Sequence, residues 1–430
     1  GMQGFISFGK LQYYIKQSLY LVDEREFPMK LIIPGKRNER YLFWFSSVIS
    51  IMIETLIAIE IIPDILPVKM VQYVIILTPM FFCIRFFVLN KGVCKKRNIY
   101  LYELRKGWIL IFLLSALSLF KSTLNGKFGF ESVMEILQLF LPFVYTFFVM
   151  NFMTEKEIMS FMKIALLCTV TGYFVLVLKS DISIQDLSRI SFIDSFSPFE
   201  NHVFAEVASG LGAFFIYKRK EARGYCFIAI LLNFLIFKRV MMLMMLLLFL
   251  VTLCRKENST VHKKVITVSI VGWFALVFCV YNLYLPNNAK LLLEKTGIDL
   301  ARFTMYRIYR LWYCIENQFT SYGLGSTTEF LRSLRQSWLG YEFEMDFIRI
   351  MFELGIIGIV LIVYTYMKMT RCNLYNYLLV SCCFLNLLMA NGIVRYWGWT
   401  FRLITMAVVV YYGSNKCKLK DEQTWGTICA

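Results

Sequence analysis

Apolar runs of span length recur from about residue 41 to residue 413, broken by short polar stretches. A helix needs roughly 17–25 largely apolar residues to cross a bilayer core. By that rule the pattern predicts about twelve spans, near 41–63, 70–90, 107–121, 131–152, 157–178, 201–217, 224–237, 240–254, 265–285, 346–367, 374–391 and 397–413. The expected fold is an all-α polytopic membrane protein with a long, partly helical outer loop. The chain divides into an amphipathic segment over 1–40, spans one to nine over 41–285, the outer loop over 286–345, spans ten to twelve over 346–413, and a tail over 414–430. Phe5, Phe8, Leu11, Ile15 and Leu19 recur at helical spacing, which predicts a helix over 4–22 lying on the membrane surface. No cleavable leader is expected; the first span would serve as the insertion signal.

Composition agrees with that picture, since 58% of residues are hydrophobic. A net charge of +17 would suggest nucleic acid in a soluble protein. Here the basic clusters fall in alternate loops: before the first span, after the second, sixth and eighth, and after the last. The positive-inside rule then places both termini in the cytoplasm and the 286–345 loop outside. The same register splits the 224–254 region into two spans, with Lys238 and Arg239 at the outer surface. Twelve cysteines lie mostly in or beside spans, without a disulfide framework or a metal-binding Cys-x-x-Cys spacing. Glu54, Glu60, Arg85, Lys163, Glu206 and Arg402 fall within predicted spans, where ionisable groups face a cavity or one another; Arg85 with Glu54 or Glu206 is one such pairing.

The outer loop breaks the charge rule, because it carries Arg302, Arg307, Arg310, Arg332 and Arg335 on the side where arginines do not aid orientation. Asp299 is placed to cap a helix from Leu300 to about Ile315. On that helix Arg302, Tyr306 and Arg310 share a face, with Arg307 three residues before Arg310. Gly323 and Gly325 predict a tight turn, and helix resumes over 327–336. Glu342, Glu344 and Asp346 precede the tenth span, and Glu200 and His202 flank the start of the sixth. Guanidinium pairs with phosphate in a bidentate fork, so Lys238, Arg239, Arg307 and Arg310 are candidates to clamp a diphosphate. Glu344 and Asp346 are candidate proton acceptors for a sugar hydroxyl, with His202 as a second base and Tyr306, Arg302 and Glu342 as substrate contacts. Other readings stand beside these. Lys238-Arg239 also suits an anchor snorkelling to headgroups, Arg307 and Arg310 suit lipid headgroups, Glu344 and Asp346 suit a helix N-terminus, and Arg349 with Glu353 suits an internal ion pair.

Three pieces, FKRVMMLMMLLLFL, RFTMYRIYRLW followed by YGLGS, and EMDFIRIMFELGIIG, together resemble the O-antigen polymerase and ligase superfamily of bacterial membrane glycosyltransferases. The resemblance is clearest between Asn201 and Val363. It implies a GT-C-like architecture in the bacterial inner membrane, working on its outer face. It implies sugars carried on undecaprenyl diphosphate, with no metal and no nucleotide sugar. By that resemblance Arg239 and Arg307 would contact the diphosphate, with Arg310 auxiliary. The acidic Glu342-Phe343-Glu344-Met345-Asp346 stands where ligases carry a histidine, which is closer to the capsule and O-antigen polymerases. The implied activity is transfer of a growing glycan onto an incoming lipid-linked repeat unit, releasing undecaprenyl diphosphate. Implied partners are lipid-linked oligosaccharides, membrane lipids, a flippase and a chain-length regulator, and no nucleic acid. A ligase and a lipid-linked oligosaccharide flippase are the competing expectations.

Overall fold

The computed structural model describes residues 37–62, 99–180, 197–334, 343–390 and 395–411, with residues 183 and 392–393 and scattered positions between 71 and 81. The expected surface helix at 4–22, most of the span near 70–90 (with Arg85), Arg335, Glu342 and the tail lie outside these residues, as does most of the loop at 179–200.

Helices account for the fold, and the described residues contain no strand. In chain order they are α1 (Arg37–Ala58), α2 (Ile99–Leu124), α3 (Phe130–Phe152), α4 (Glu155–Lys179), α5 (His202–Tyr217), α6 (Arg223–Leu235), α7 (Arg239–Leu253) and α8 (Lys263–Leu283). Then follow α9 (Pro286–Thr296), α10 (Leu300–Phe303), α11 (Ile308–Glu316), α12 (Ser326–Ser333), α13 (Asp346–Leu354), α14 (Ile356–Met369), α15 (Leu374–Met389) and α16 over residues 396–411. Local signals explain many boundaries. Thr154 and Glu157 form a reciprocal capping box at the start of α4. Asn201 and Asn373 cap α5 and α15 through their side-chain oxygens.

Five helices, α1, α2, α3, α4 and α8, are long and apolar enough to cross a membrane. α5, α6, α7, α14 and α15 are apolar but have 16, 13, 15, 14 and 16 residues. Sixteen residues reach about 24 Å, short of a hydrocarbon core of about 30 Å. The expected tenth span is also not one helix. Gly355, at φ 75° and ψ −168°, divides it into α13 and α14, a backbone region essentially reserved for glycine.

Contacts between turns define two ends of the bundle. At one, Lys218 reaches Glu155 at 2.7 Å, Tyr217 bonds Asn258 at 3.2 Å, and the Leu374 amide donates to Ser259 at 2.9 Å. The basic residues after α5 and α7 therefore share one end. At the other, Lys179 donates to the Ile59 carbonyl at 3.0 Å, and the Tyr173 hydroxyl donates to the Phe199 and Leu235 carbonyls at 3.1 Å. Helix α16 lies at the centre, with Trp397, Phe401, Leu403, Ile404, Ala407 and Val409 all buried. It crosses α5 closely because both backbones are bare there: a Cβ on Gly210 would fall 2.8 Å from Phe401, and one on Gly398 would fall 3.0 Å from Glu206.

The 286–334 region folds as a cap over the second end. Tyr284, Leu300, Ile308, Leu311, Cys314, Leu331, Phe343 and Ile348 form its own apolar cluster. Asp299 caps as expected, accepting from Ala301 and Arg302. The expected single helix to Ile315 is interrupted, however, because Met305 and Tyr306 take φ of 51° and 62°. This separates Arg302 and Tyr306 from Arg310, so they do not line one helical face. The Gly-Leu-Gly turn is a buried strap. Ser118 accepts from the Leu324 amide at 3.0 Å, Ser122 donates to the Tyr322 carbonyl at 2.7 Å, and Ser132 donates to the Leu324 carbonyl. Glu353 accepts from the Gly325 and Thr327 amides, both at 3.1 Å, and Lys121 holds the Glu353 carbonyl at 2.7 Å.

Candidate active site

The charged residues at the second end gather where several helices stop. α5, α7, α13 and α16 begin there and α15 ends there. The non-helical stretch after Met389 joins the groups. Arg307 donates to the Met389 carbonyl at 3.1 Å, the Asp346 amide to Ala390 at 3.3 Å, and the Asp346 carboxylate accepts from Gly392 and Ile393 at 2.6 and 2.9 Å. Helix N-termini carry partial positive charge, so this end favours anions even before the side chains are considered.

Glu344 forms the focus nearest the surface. Arg307 is hydrogen-bonded to its carboxylate, and Arg310 lies 3.2 Å away. Burial alone would raise the Glu344 carboxyl, but the Arg307 and Arg310 guanidiniums outweigh it and hold the group below the usual glutamate range. Glu200, joined to α5 by Asn201, behaves oppositely. Burial raises its carboxyl, and Lys238, Arg307 and Arg239 offset that only in part. Arg239 thus stands in charge range of the same cluster, half-buried at the first residue of α7.

Deeper lies Glu206, fully buried, accepting from Lys238 at 2.8 Å, from Asn386 at 2.9 Å and from Arg402. Lys238 also contacts His202 Nδ1 at 2.7 Å. An ammonium has only protons to offer, so Nδ1 accepts, and the neutral ring carries its proton on Nε2. A second buried group joins Arg349 to Glu135 and, at 3.2 Å, to Asp346.

Several expectations change on this geometry. Lys238 is buried and bound to Glu206 and His202, so it is neither a surface anchor nor directed at an external phosphate. Asp346 is fully buried and both its oxygens accept hydrogen bonds, so it secures the turn after α15 instead of meeting a hydroxyl. His202 presents Nδ1 to Lys238, which occupies the lone pair a base would use. Glu206 pairs with Lys238 and Arg402; the expected Arg85 pairing lies outside the described residues. Arg302 and Tyr306 are exposed on the broken helix, and Glu353 holds the strap while Arg349 reaches Glu135 and Asp346. Arg307, Arg310, Glu344 and Arg239 are brought together. Sequence reasoning placed Glu200 beside His202 without giving it a role, and missed Arg395 and Glu135. Glu135 had a signal, a carboxylate inside an apolar run; Arg395, whose charge acts on His202, lies between predicted spans and had none.

Among the described residues no three His, Cys, Asp or Glu side chains gather as a metal site. Comparison with protein-family models, curated proteins and solved structures finds no match.

Proposed function

We propose that the protein is a membrane glycosyltransferase that polymerises repeat units carried on undecaprenyl diphosphate, with its site on the outer side of a bacterial cytoplasmic membrane. The observation that carries this reading is the convergence of Arg307 and Arg310 on one half-buried carboxylate, Glu344. Lys238, Arg239, Arg395 and Arg402 add to a local excess of cations over Glu200, Glu206 and Glu344. A dianionic diphosphate fits that excess, and forked guanidiniums suit its oxygens.

In this reading Glu344 occupies the phosphate fork of the resting protein. The arriving diphosphate takes Arg307 and Arg310, neutralises them, and frees Glu344 with a higher proton affinity. Glu344 then accepts the proton of the acceptor hydroxyl as that oxygen bonds to the anomeric carbon. The bond from that carbon to the phosphate oxygen breaks, and undecaprenyl diphosphate leaves with the bonding pair. One direct displacement inverts the anomeric centre. Arg307 and Arg310 stabilise charge developing on the leaving group, the largest contribution in this kind of site. A GT-C-like fold, and partnership with a flippase and a chain-length regulator, belong to the same proposal.

The test uses purified protein with a synthetic repeat unit on undecaprenyl diphosphate, without metal or nucleotide, and gel or mass analysis of products. A ladder is expected, with Arg307→Ala and Glu344→Gln each lowering its rate by about 100-fold while the protein stays folded. Unchanged ladders in both variants would remove the fork from the reaction. A translocation reading draws on the buried Glu206–Lys238–Arg402 group, since such networks also mark transport pathways. Movement of the lipid-linked unit across vesicles without any ladder would favour it. Attachment of finished chains to a separate acceptor would favour a ligase.

A further inference from the structure

At the opposite, basic end, the α5–α6 turn and the adjoining faces of α6 and α7 enclose a groove of about 420 Å³. Arg219, Lys220 and Arg223 form its rim, and Phe227, Ile230 and Phe249 form its walls. Carboxylates nearby reduce that rim charge without cancelling it. Glu221 and Glu155 are engaged by Lys218, at 2.9 and 2.7 Å, and Glu257 lines the separate cleft on the other side of Arg219 and Lys220. Arg219 is fixed by donating to the Thr252 carbonyl of α7. Lys220 and Arg223 are exposed, and Phe227 is 68% exposed on the flank of the bundle.

We propose that this groove binds one anionic glycerophospholipid, with the headgroup phosphate among Arg219, Lys220 and Arg223 and an acyl chain along Phe227, Ile230 and Phe249. The cationic rim over apolar walls matches the two parts of such a lipid in their order across a leaflet. The apolar wall distinguishes the occupant from a free phosphate, and the fixed Arg219 distinguishes a site from diffuse attraction to a basic surface. The proposal does not depend on the reaction assigned to the other end.

The experiment titrates detergent-purified protein with phosphatidylglycerol, phosphatidylcholine or inorganic phosphate, counting retained lipids by native mass spectrometry and following the unfolding temperature. One phosphatidylglycerol should be retained and should raise the unfolding temperature, whereas the other two ligands should not. K220Q/R223Q should weaken retention about tenfold or more, and Phe227→Ser should weaken it as well. R255Q/K256Q, which alters a basic turn of the same end outside the groove, should leave it unchanged. Equal loss in both double variants would reduce the effect to surface charge. Inorganic phosphate matching the lipid, or retention indifferent to K220Q/R223Q, would overturn the proposal. All four substituted charges are exposed, so an unaltered circular dichroism spectrum is expected throughout.

Discussion

Glu344 is held between burial, which favours its neutral form, and Arg307 with Arg310, which favour the charged one and prevail. Its carboxyl is therefore lowered on folding. Its contribution to stability is complete above the unfolded value of about 4.3, and is lost as pH falls through the lower folded value. Thermal unfolding followed downward from about pH 5 should fall less steeply for Glu344→Gln than for the unsubstituted protein; parallel slopes would place the acid sensitivity elsewhere. Glu206→Gln should be far more damaging. It leaves Lys238 and Arg402 buried without their carboxylate, a change of about 3–5 kcal/mol in comparable buried pairs, visible as loss of folded protein in detergent chromatography. The chain announced that Glu206 and Arg402 were unusual, because charges inside apolar runs always are. It did not announce that they pair, since 196 residues separate them and only the α5–α16 crossing brings them together.

At the scale of elements, the Gly-Leu-Gly strap fastens the cap to α2, α3 and α13. Both glycines are demanded by shape and space: Gly323 has φ of 131° and a Cβ there would lie 2.5 Å from Ser118 Oγ, while Gly325 has φ of 76° and a Cβ there would lie 2.9 Å from the Glu131 backbone. Gly325→Ala should lower stability by at least about 1 kcal/mol and expose the cap to limited proteolysis. Gly224→Ala, in α6 with open space around it, should be neutral or slightly stabilising. If the two behaved alike, the strap would not secure the cap. The turn itself was legible in the glycine spacing. The sites on which it docks were not, because Ser118, Ser122 and Ser132 look like ordinary small residues within apolar helices. The break at Met305 and Tyr306 was equally hidden, since neither residue type favours positive φ and tertiary contacts override the helical pattern.

Across the described residues, the basic turns after α5 and α7 share one end and the candidate site lies at the other. Impermeant maleimide should label Tyr306→Cys in intact cells and Lys220→Cys only after permeabilisation, in a background where the exposed Cys254 and Cys279 are serine. Labelling of both from one side would dissolve the proposed orientation. Although the other basic clusters lie largely outside the described residues, the basic residues after α5 and α7 made their shared end readable from the chain. The short helices were less so, because hydropathy measures how apolar a run is and not where a glycine or a buried carboxylate interrupts it. The position of α16 has a consequence for biogenesis. The helix that fills the centre of the bundle is also the last described one to leave the ribosome. Until it inserts, Glu206 and Lys238 wait without Arg402, and Tyr145 and Phe161 lack their ring contacts with Trp397. The centre of the bundle therefore stays incomplete until α16 has been made and inserted.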